Sequence, residues 1–273
     1  MGEDSLELLT SGEVALTLGV GPSTVKRWTQ SGELECVKTL GGHRRFARAT
    51  VLAFARRNGL EKGGVAQPEH IDRWLTLLTN DVGAYEVQAA LLTERAARGC
   101  WWRVAEAIGQ VLEAAGRRWS EGRLTVVEEH LASEVLQRGL TMLVESLPIR
   151  DDAPRCLLAT AENEDHTLGL SLLELCLREA GWLPRWAGRN TPTEELTRFV
   201  RAGGVRMVAL SASATSTDLS LLARQVERLA PACQEHGVTL LLGGAGAWPE
   251  DPRYGFRLRG FGQLQALLQQ IGA

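Results

Sequence analysis

The chain has 273 residues, too many for one ordinary domain and suited to two or three. Hydrophobic residues make up 44% and charged residues 23%, a normal globular balance, and no apolar run reaches the roughly 18 residues of a membrane span. The net charge of −3 hides an asymmetry: residues 20–60 hold eight Lys or Arg against two Glu, a local +6 on an otherwise acidic chain, which points to a polyanion partner for that stretch alone. The N-terminus lacks the basic region and cleavage site of a secretory signal, so a cytoplasmic location is expected. Cys36, Cys100, Cys156, Cys176 and Cys233 are scattered and odd in number. That pattern suggests reduced, packed thiols rather than a disulfide frame or a zinc knuckle.

Thr10 and Glu13 are spaced as a capping box and open a short predicted helix over 13–18. Gly19, Val20 and Gly21 supply a turn, and Pro22 suits the first position of a second helix. That helix carries Ser23, Thr24, Lys26 and Arg27 near its start, where a helix-turn-helix reads base edges. Residues 34–40 are strand-like, and Gly41-Gly42 turns the chain into His43, Arg44, Arg45 and Phe46. This reads as a β-hairpin wing whose His43, Arg44 and Arg45 face DNA, the two arginines on phosphates; plain solvated surface cations are the alternative. The run Ser11 to Trp28 followed by "GGHRRF" resembles the winged helix-turn-helix of the MerR superfamily.

Residues 59–68 read as a linker rich in glycine. Helical periodicity then predicts four helices over 68–78, 84–98, 101–121 and 126–147, a four-helix bundle. Thr125 and Glu128 form a second capping box, so a new helix starts there. Trp119 ends the preceding helix, and a tight hairpin brings it to one end of the bundle with Glu129 and His130. An indole, a carboxylate and an imidazole together suit a ligand with an aromatic face and sugar hydroxyls. A core Trp beside a surface Glu-His pair fits the same residues.

Beyond the breaker at 148–154, apolar runs alternate with amphipathic helices. Strands are predicted at 155–160, 183–187, 207–211, 239–242 and 256–258, with helices ending near Ala180 and over 192–202 and 219–236, a doubly wound Rossmann-like layout. Glu164, His166 and Gly169 follow the first strand, Ser211 and Ser213 close the third, and Gly243-Gly244 follow the fourth. All lie at carboxyl ends of parallel strands, where such sheets bind ligands. His166 is a candidate metal ligand with Glu164 behind its other ring nitrogen, or else a structural loop histidine.

Glu164-x-His166-x-x-Gly169, Ser211-x-Ser213 and Gly243-Gly244 resemble the cobalamin-binding motif of methionine synthase and its relatives, which reads Asp-x-His-x-x-Gly, Ser-x-Leu, Gly-Gly. The resemblance implies that His166 becomes the lower axial ligand of cobalt and that the displaced nucleotide tail enters a slot beside Ser211, Ser213, Gly243 and Gly244. Trp119, nine residues, then Glu129-His130 resembles the signature of light-sensing cobalamin regulators of the CarH/LitR type, members of the MerR superfamily. There the bundle caps the upper face of adenosylcobalamin. Well-known members carry His after that Trp; this chain has Ser120, and a hydroxyl is a poor cobalt ligand beside imidazole. His130 or water is then the alternative cap, and another cobalamin or a tetrapyrrole such as a bilin an alternative occupant.

The sequence thus implies three parts: a MerR-like winged helix-turn-helix over 1–58, a bundle over 69–150 and a Rossmann-like cobalamin-binding domain over 151–273. The expected function is a light-responsive transcriptional regulator, most readily a repressor, and not an enzyme. It binds double-stranded operator DNA as a dimer or tetramer, with adenosylcobalamin holding bundle and sheet together. A non-photochemical sensor of cobalamin or another tetrapyrrole is one alternative, and a corrinoid carrier for a methyltransferase system is another.

Overall fold

The computed structural model describes residues 8–18, 22–39, 43–58 and 67–271. The turn at Gly19-Val20-Gly21, the wing tip at Gly41-Gly42 and linker residues 59–66 lie outside them. The N-terminal part runs β1 (Leu8–Thr10), α1 (Ser11–Leu18), α2 (Pro22–Gln30), β2 (Val37–Lys38), β3 (Arg44–Ala47) and α3 (Arg48–Arg57). The capping box forms: the Glu13 amide donates to Thr10 Oγ1 at 3.2 Å, and the Thr10 amide to Glu13 Oε2 at 2.7 Å. Helix α1 starts two residues before the predicted boundary. The wing is antiparallel, with Val37 opposite Arg45 and Lys38 opposite Arg44. Neither β1 nor α3 is among the predicted elements. Strand β1 completes the sheet in the order β1-β3-β2, and α3 adds Val51 and Phe54 to a small core of Val14, Val25, Leu34 and Phe46.

The bundle is α4 (Pro68–Thr79), α5 (Ala84–Arg98), α6 (Trp101–Ser120) and α7 (Val126–Ser146), each within a residue or so of its predicted ends. Thr125 Oγ1 accepts the Glu128 amide at 3.2 Å, and Glu128 Oε2 accepts the Thr125 amide at 2.8 Å, so α7 starts at its predicted boundary. Apolar stripes such as Val104, Ile108 and Val111 on α6 and Leu136, Leu140 and Leu143 on α7 face inward. The N-terminal turn of α4 lies against the C-terminal end of α6: Arg118 pairs with Asp72, and Pro68, Ile71, Arg117 and Arg123 line one surface depression.

The remainder alternates β4 (Arg155–Thr160), α8 (Leu168–Glu179), β5 (Leu183–Gly188), α9 (Thr193–Ala202), β6 (Met207–Ser211), α10 (Leu219–Glu235), β7 (Thr239–Gly243), β8 (Phe256–Arg257) and α11 (Phe261–Ile271). The sheet is parallel, in the order β5-β4-β6-β7-β8. The order reverses between β4 and β6, the switch point at which doubly wound sheets bind ligands. Alternation along the strands splits the core in two. Leu157, Ala159, Val208, Leu210, Leu240 and Leu242 face α9 and α10. Leu158, Met207, Ala209 and Leu241 face α8 and α11 and share one continuous apolar cluster with the bundle.

That shared cluster departs from the expectation of two modules held together by a ligand. Polar pins reinforce it. Glu179 at the end of α8 accepts the Trp101 amide at 2.8 Å and Arg95 Nη2 at 2.7 Å, capping α6 from below. Arg178 donates to the Leu147 carbonyl at the end of α7. Glu106 on α6 accepts the Phe261 amide at 2.7 Å, capping α11; burial pushes its carboxyl up despite that bond. Cys156, Cys176 and Cys233 are buried free thiols. No helix among the described residues is long and apolar enough to cross a membrane. Because bundle and sheet share one core, Leu158→Ala should weaken both together. A single denaturation transition should shift by about 2–5 kcal/mol, with tryptophan fluorescence and far-UV circular dichroism moving in step.

Candidate cofactor site and nucleic-acid interface

The loop of residues 161–167 between β4 and α8 carries the first predicted cluster, at the switch point. Glu164 is buried, its side chain only 1% exposed, and both of its oxygens are engaged. His166 Nδ1 stands 2.6 Å from Oε1, which also accepts the His166 amide at 2.8 Å. Oε2 accepts the Ser213 amide at 2.6 Å and the Ser216 hydroxyl at 2.7 Å. Burial alone would raise this carboxyl. The donors of His166, Ser216 and Ser213 outweigh it and hold the pKa at about 2. An ionised carboxylate only accepts, so the proton of a neutral His166 sits on Nδ1 and the lone pair on Nε2. The His166 side chain is 63% exposed, and Nε2 has no partner among the described residues. An imidazole held this way from behind has its outer nitrogen available as an acceptor or ligand.

Strand register builds the rest. Thr160, Ser211 and Gly243 lie in one row across β4, β6 and β7. By alternation the row shares the face of Leu158, Ala209 and Leu241, towards α8. A Cβ added at Gly169 would meet only Ser211 Oγ, at 3.6 Å, and one at Gly243 only the Leu210 carbonyl, at 3.8 Å. At both glycines a Cβ would therefore make only ordinary contacts, and Gly169 brings the first turn of α8 next to Ser211. Gly244 does a different job. Its φ is +83°, and a Cβ there would lie 2.1 Å from the Ala212 carbonyl, so it packs the loop after β7 onto the loop after β6. The Ser213 hydroxyl lies 3.2 Å from His166 Nδ1, so it stands with the imidazole.

Trp119, Glu129 and His130 sit at the far tip of the bundle. Pinned at Trp101 to the end of α8, α6 runs back along α8, and at about 1.5 Å per residue it overshoots the α8 start by roughly 10 Å. Helix α7 is tied to the start of α8 by Gln137, which accepts the Ser171 hydroxyl at 2.9 Å, and its first turns overhang similarly. Trp119 is 47% exposed, which excludes the core-Trp alternative, and Val126, Val127 and Leu131 beside it are also exposed. His130 lies 3.6 Å from Glu129, whose carboxylate accepts the Ser133 hydroxyl at 2.6 Å. No hydrogen bond or ion pair among the described residues joins these three to the His166 loop. The tip, with its exposed Trp119, Val126, Val127 and Leu131, thus extends past the start of α8, the end of that helix next to His166. Ser120 donates back to the Arg117 carbonyl at 2.8 Å.

In the head, Ser23, Lys26 and Arg27 are exposed on α2 and Thr24 is half-buried, while Val25 anchors the helix inward. His43 is exposed at the start of the wing. Arg44 and Arg45 are not brought together: neighbours on a strand point to opposite faces, and Arg44 shares the face of buried Phe46, its Nε buried without a partner.

Residues the sequence did not single out complete the site. Ser216 reaches Glu164, although nothing in the run from Ser211 to Ser216 marks which hydroxyl would. Thr160 and Asn190 hold the histidine loop from beneath. Glu164→Gln should destabilise the chain by roughly 1–3 kcal/mol at neutral pH, since the amide nitrogen cannot accept and leaves the donors at one of the two oxygen positions, His166 or Ser213 with Ser216, unpaired. The wild-type carboxylate contributes stability above its ordinary pKa of about 4.5, and this contribution is lost as pH falls towards about 2. Denaturation midpoints followed from pH 5 to pH 2 should therefore fall more steeply in wild type than in the variant.

Residues 8–59 match the family described as a helix-turn-helix domain. Residues 89–144, within α5 to α7, match the family described as a B12 binding domain. The chain is 31% identical over 144 residues to the HTH-type transcriptional repressor CarH of Myxococcus xanthus, covering 52% of this chain and 46% of that protein. It is 30% identical over 128 residues to the HTH-type transcriptional repressor CarA of the same organism, covering 46% and 42%. Each match thus spans less than half the length of its relative. Among solved structures, the monomethylamine corrinoid protein of Methanosarcina barkeri is 17% identical, over 70% of this chain and 81% of that one, with a TM-score of 0.43. The chain thus combines a helix-turn-helix domain with a B12-binding domain and is similar in sequence to the transcriptional repressors CarH and CarA.

Proposed function

We propose that the chain is a light-responsive transcriptional repressor, not an enzyme, that acts in the cytoplasm as a homo-oligomer on operator DNA and senses light through bound adenosylcobalamin. Bound adenosylcobalamin supplies a cobalt–carbon bond that absorbed light breaks. The chain's own residues do the rest. His166 presents Nε2 to the metal, with Glu164 fixing its tautomer. Gly169, Ser211 and Gly243 line the slot for the nucleotide tail, while Gly244 and Ser213 shape the loops around it. Trp119, Glu129 and His130 close over the opposite face. Residues 1–58 bind DNA through Ser23, Thr24, Lys26, Arg27 and the wing at His43 and Arg45, Arg44 lying on the face of Phe46; 69–150 form the cap and 151–273 the cofactor domain.

The observation that supports this reading is the exposed His166, its Nδ1 held by buried Glu164, at the switch point of the parallel sheet. Among the described residues no group of three or more His, Cys, Asp or Glu could hold a metal ion. A lone imidazole therefore suits a metal delivered inside a macrocycle. One observation favours a second reading. Ser120, bonded to its own helix, offers no imidazole to cobalt, so the module also fits a sensor of cobalamin or another tetrapyrrole that works by binding alone.

The test uses the full chain with adenosylcobalamin in darkness and a duplex selected by the dark protein from a random library. The absorption spectrum should shift on binding, and His166→Ala should abolish the change due to axial ligation. Trp119→Ala should weaken binding about tenfold or more. Green light should release the duplex; retention identical in darkness and light, with cofactor bound, selects the binding-only reading. A cofactor spectrum unchanged by the protein overturns both. Lys26→Ala or Arg27→Ala should lower duplex affinity and, for each phosphate the variant no longer neutralises, reduce the salt dependence by about one unit of slope.

A further inference from the structure

The loop that carries His166 is anchored at its base by the end of β4 and by the loop after β5. Thr160, the last residue of β4, is fully buried, and its hydroxyl is used twice. It donates to the Glu164 carbonyl at 2.6 Å and accepts the Asn190 amide at 2.8 Å. Asn190 lies in the loop after β5, the edge strand beside β4, and its Oδ1 accepts the Asn163 amide at 2.8 Å. Asn163 and Asn190 are the two residues other than glycine with positive φ among the described residues, at +61° and +50°. This left-handed region is one that asparagine tolerates better than other side chains, and such outliers persist where surrounding bonds over-determine them.

We propose that Thr160 and Asn190 are positioning residues for the cobalt ligand, forming a clasp through which the loop after β5 sets the place of His166. The proposal rests on the cofactor reading above. Thr160 fixes the backbone of Glu164, and Glu164 fixes both the amide and Nδ1 of His166. Asn190 closes the same loop one residue earlier, at Asn163. Without the clasp the Glu164–His166 pair remains chemically intact but is no longer held at one height above the sheet. Nε2 then spends less time where the metal must sit.

Four variants separate the parts. Thr160→Val keeps the shape and removes the hydroxyl, and Thr160→Ser restores it. Asn190→Gly keeps the left-handed backbone but loses the side-chain acceptor, and Asn190→Asp retains both. Two readouts on the full chain are compared: amide hydrogen exchange over residues 161–166 without cofactor, and adenosylcobalamin affinity together with the spectral signature of histidine ligation. Thr160→Val and Asn190→Gly should speed exchange in that loop about tenfold or more and weaken affinity about tenfold. Histidine ligation should be partly lost, and Thr160→Ser and Asn190→Asp should stay near wild type. Wild-type loop protection and ligation in Asn190→Gly would overturn the proposal, even if Thr160→Val fails to fold. If the wild-type chain leaves the cofactor spectrum unchanged, the cofactor reading and the ligand-positioning role fall together. Faster exchange in Asn190→Gly would then still separate a structural clasp from no clasp.

Discussion

Helix α8 has to satisfy two apolar surfaces at once, and the rest of the structure follows from that. One side of its buried set, Leu170, Leu172, Leu175 and Leu177, belongs to the single cluster that joins the sheet face to the bundle. At its C-terminal end Glu179 caps α6 and Arg178 holds the end of α7, so two bundle helices are fastened to it. At its N-terminal end stands His166. The helix that packs the bundle onto the sheet is therefore the helix that the candidate metal ligand introduces, and bundle and site share one frame.

Within that frame the site divides its labour by face and by loop. The row of Thr160, Ser211 and Gly243 comes from parallel register alone, which sets three strand ends level. A Cβ would be tolerated at Gly243, whereas at Gly244 it would collide with the Ala212 carbonyl. The charge at Glu164 is bearable in a buried position because amides and hydroxyls surround it. Its chemistry is passed to the ring of His166 as a fixed tautomer, and only the outer nitrogen is left free to act.

Much of this was legible because the signals are local. The capping boxes at Thr10 and Thr125 are four-residue patterns, and they mark helix starts that the structure confirms to within two residues. The motif from Glu164 to Gly169 is equally short and follows an obvious buried strand. What escaped the sequence is set by distant partners. Strand β1 has three residues and exists because β3 lies beside it. The carboxylate that caps α11, on Glu106, is 155 residues away from the amide it accepts. The shared core of bundle and sheet could not be inferred from two separately amphipathic patterns, because periodicity says which face is buried but not against what. Thr160 and Asn190 are ordinary residues until strand order makes them neighbours. Strand alternation likewise separates Arg44 and Arg45, adjacent in sequence, onto opposite faces.

The pairing of Arg118 with Asp72 has a mechanical meaning. It sets the first turn of α4, where the chain arrives from the DNA-binding head, one residue along from Trp119. The fasteners at Glu179 and Arg178 lie at the opposite end of the same helices, so the bundle is clamped at its base and reaches outward like a diving board. The tip of α6 beside the indole is thus braced against α4.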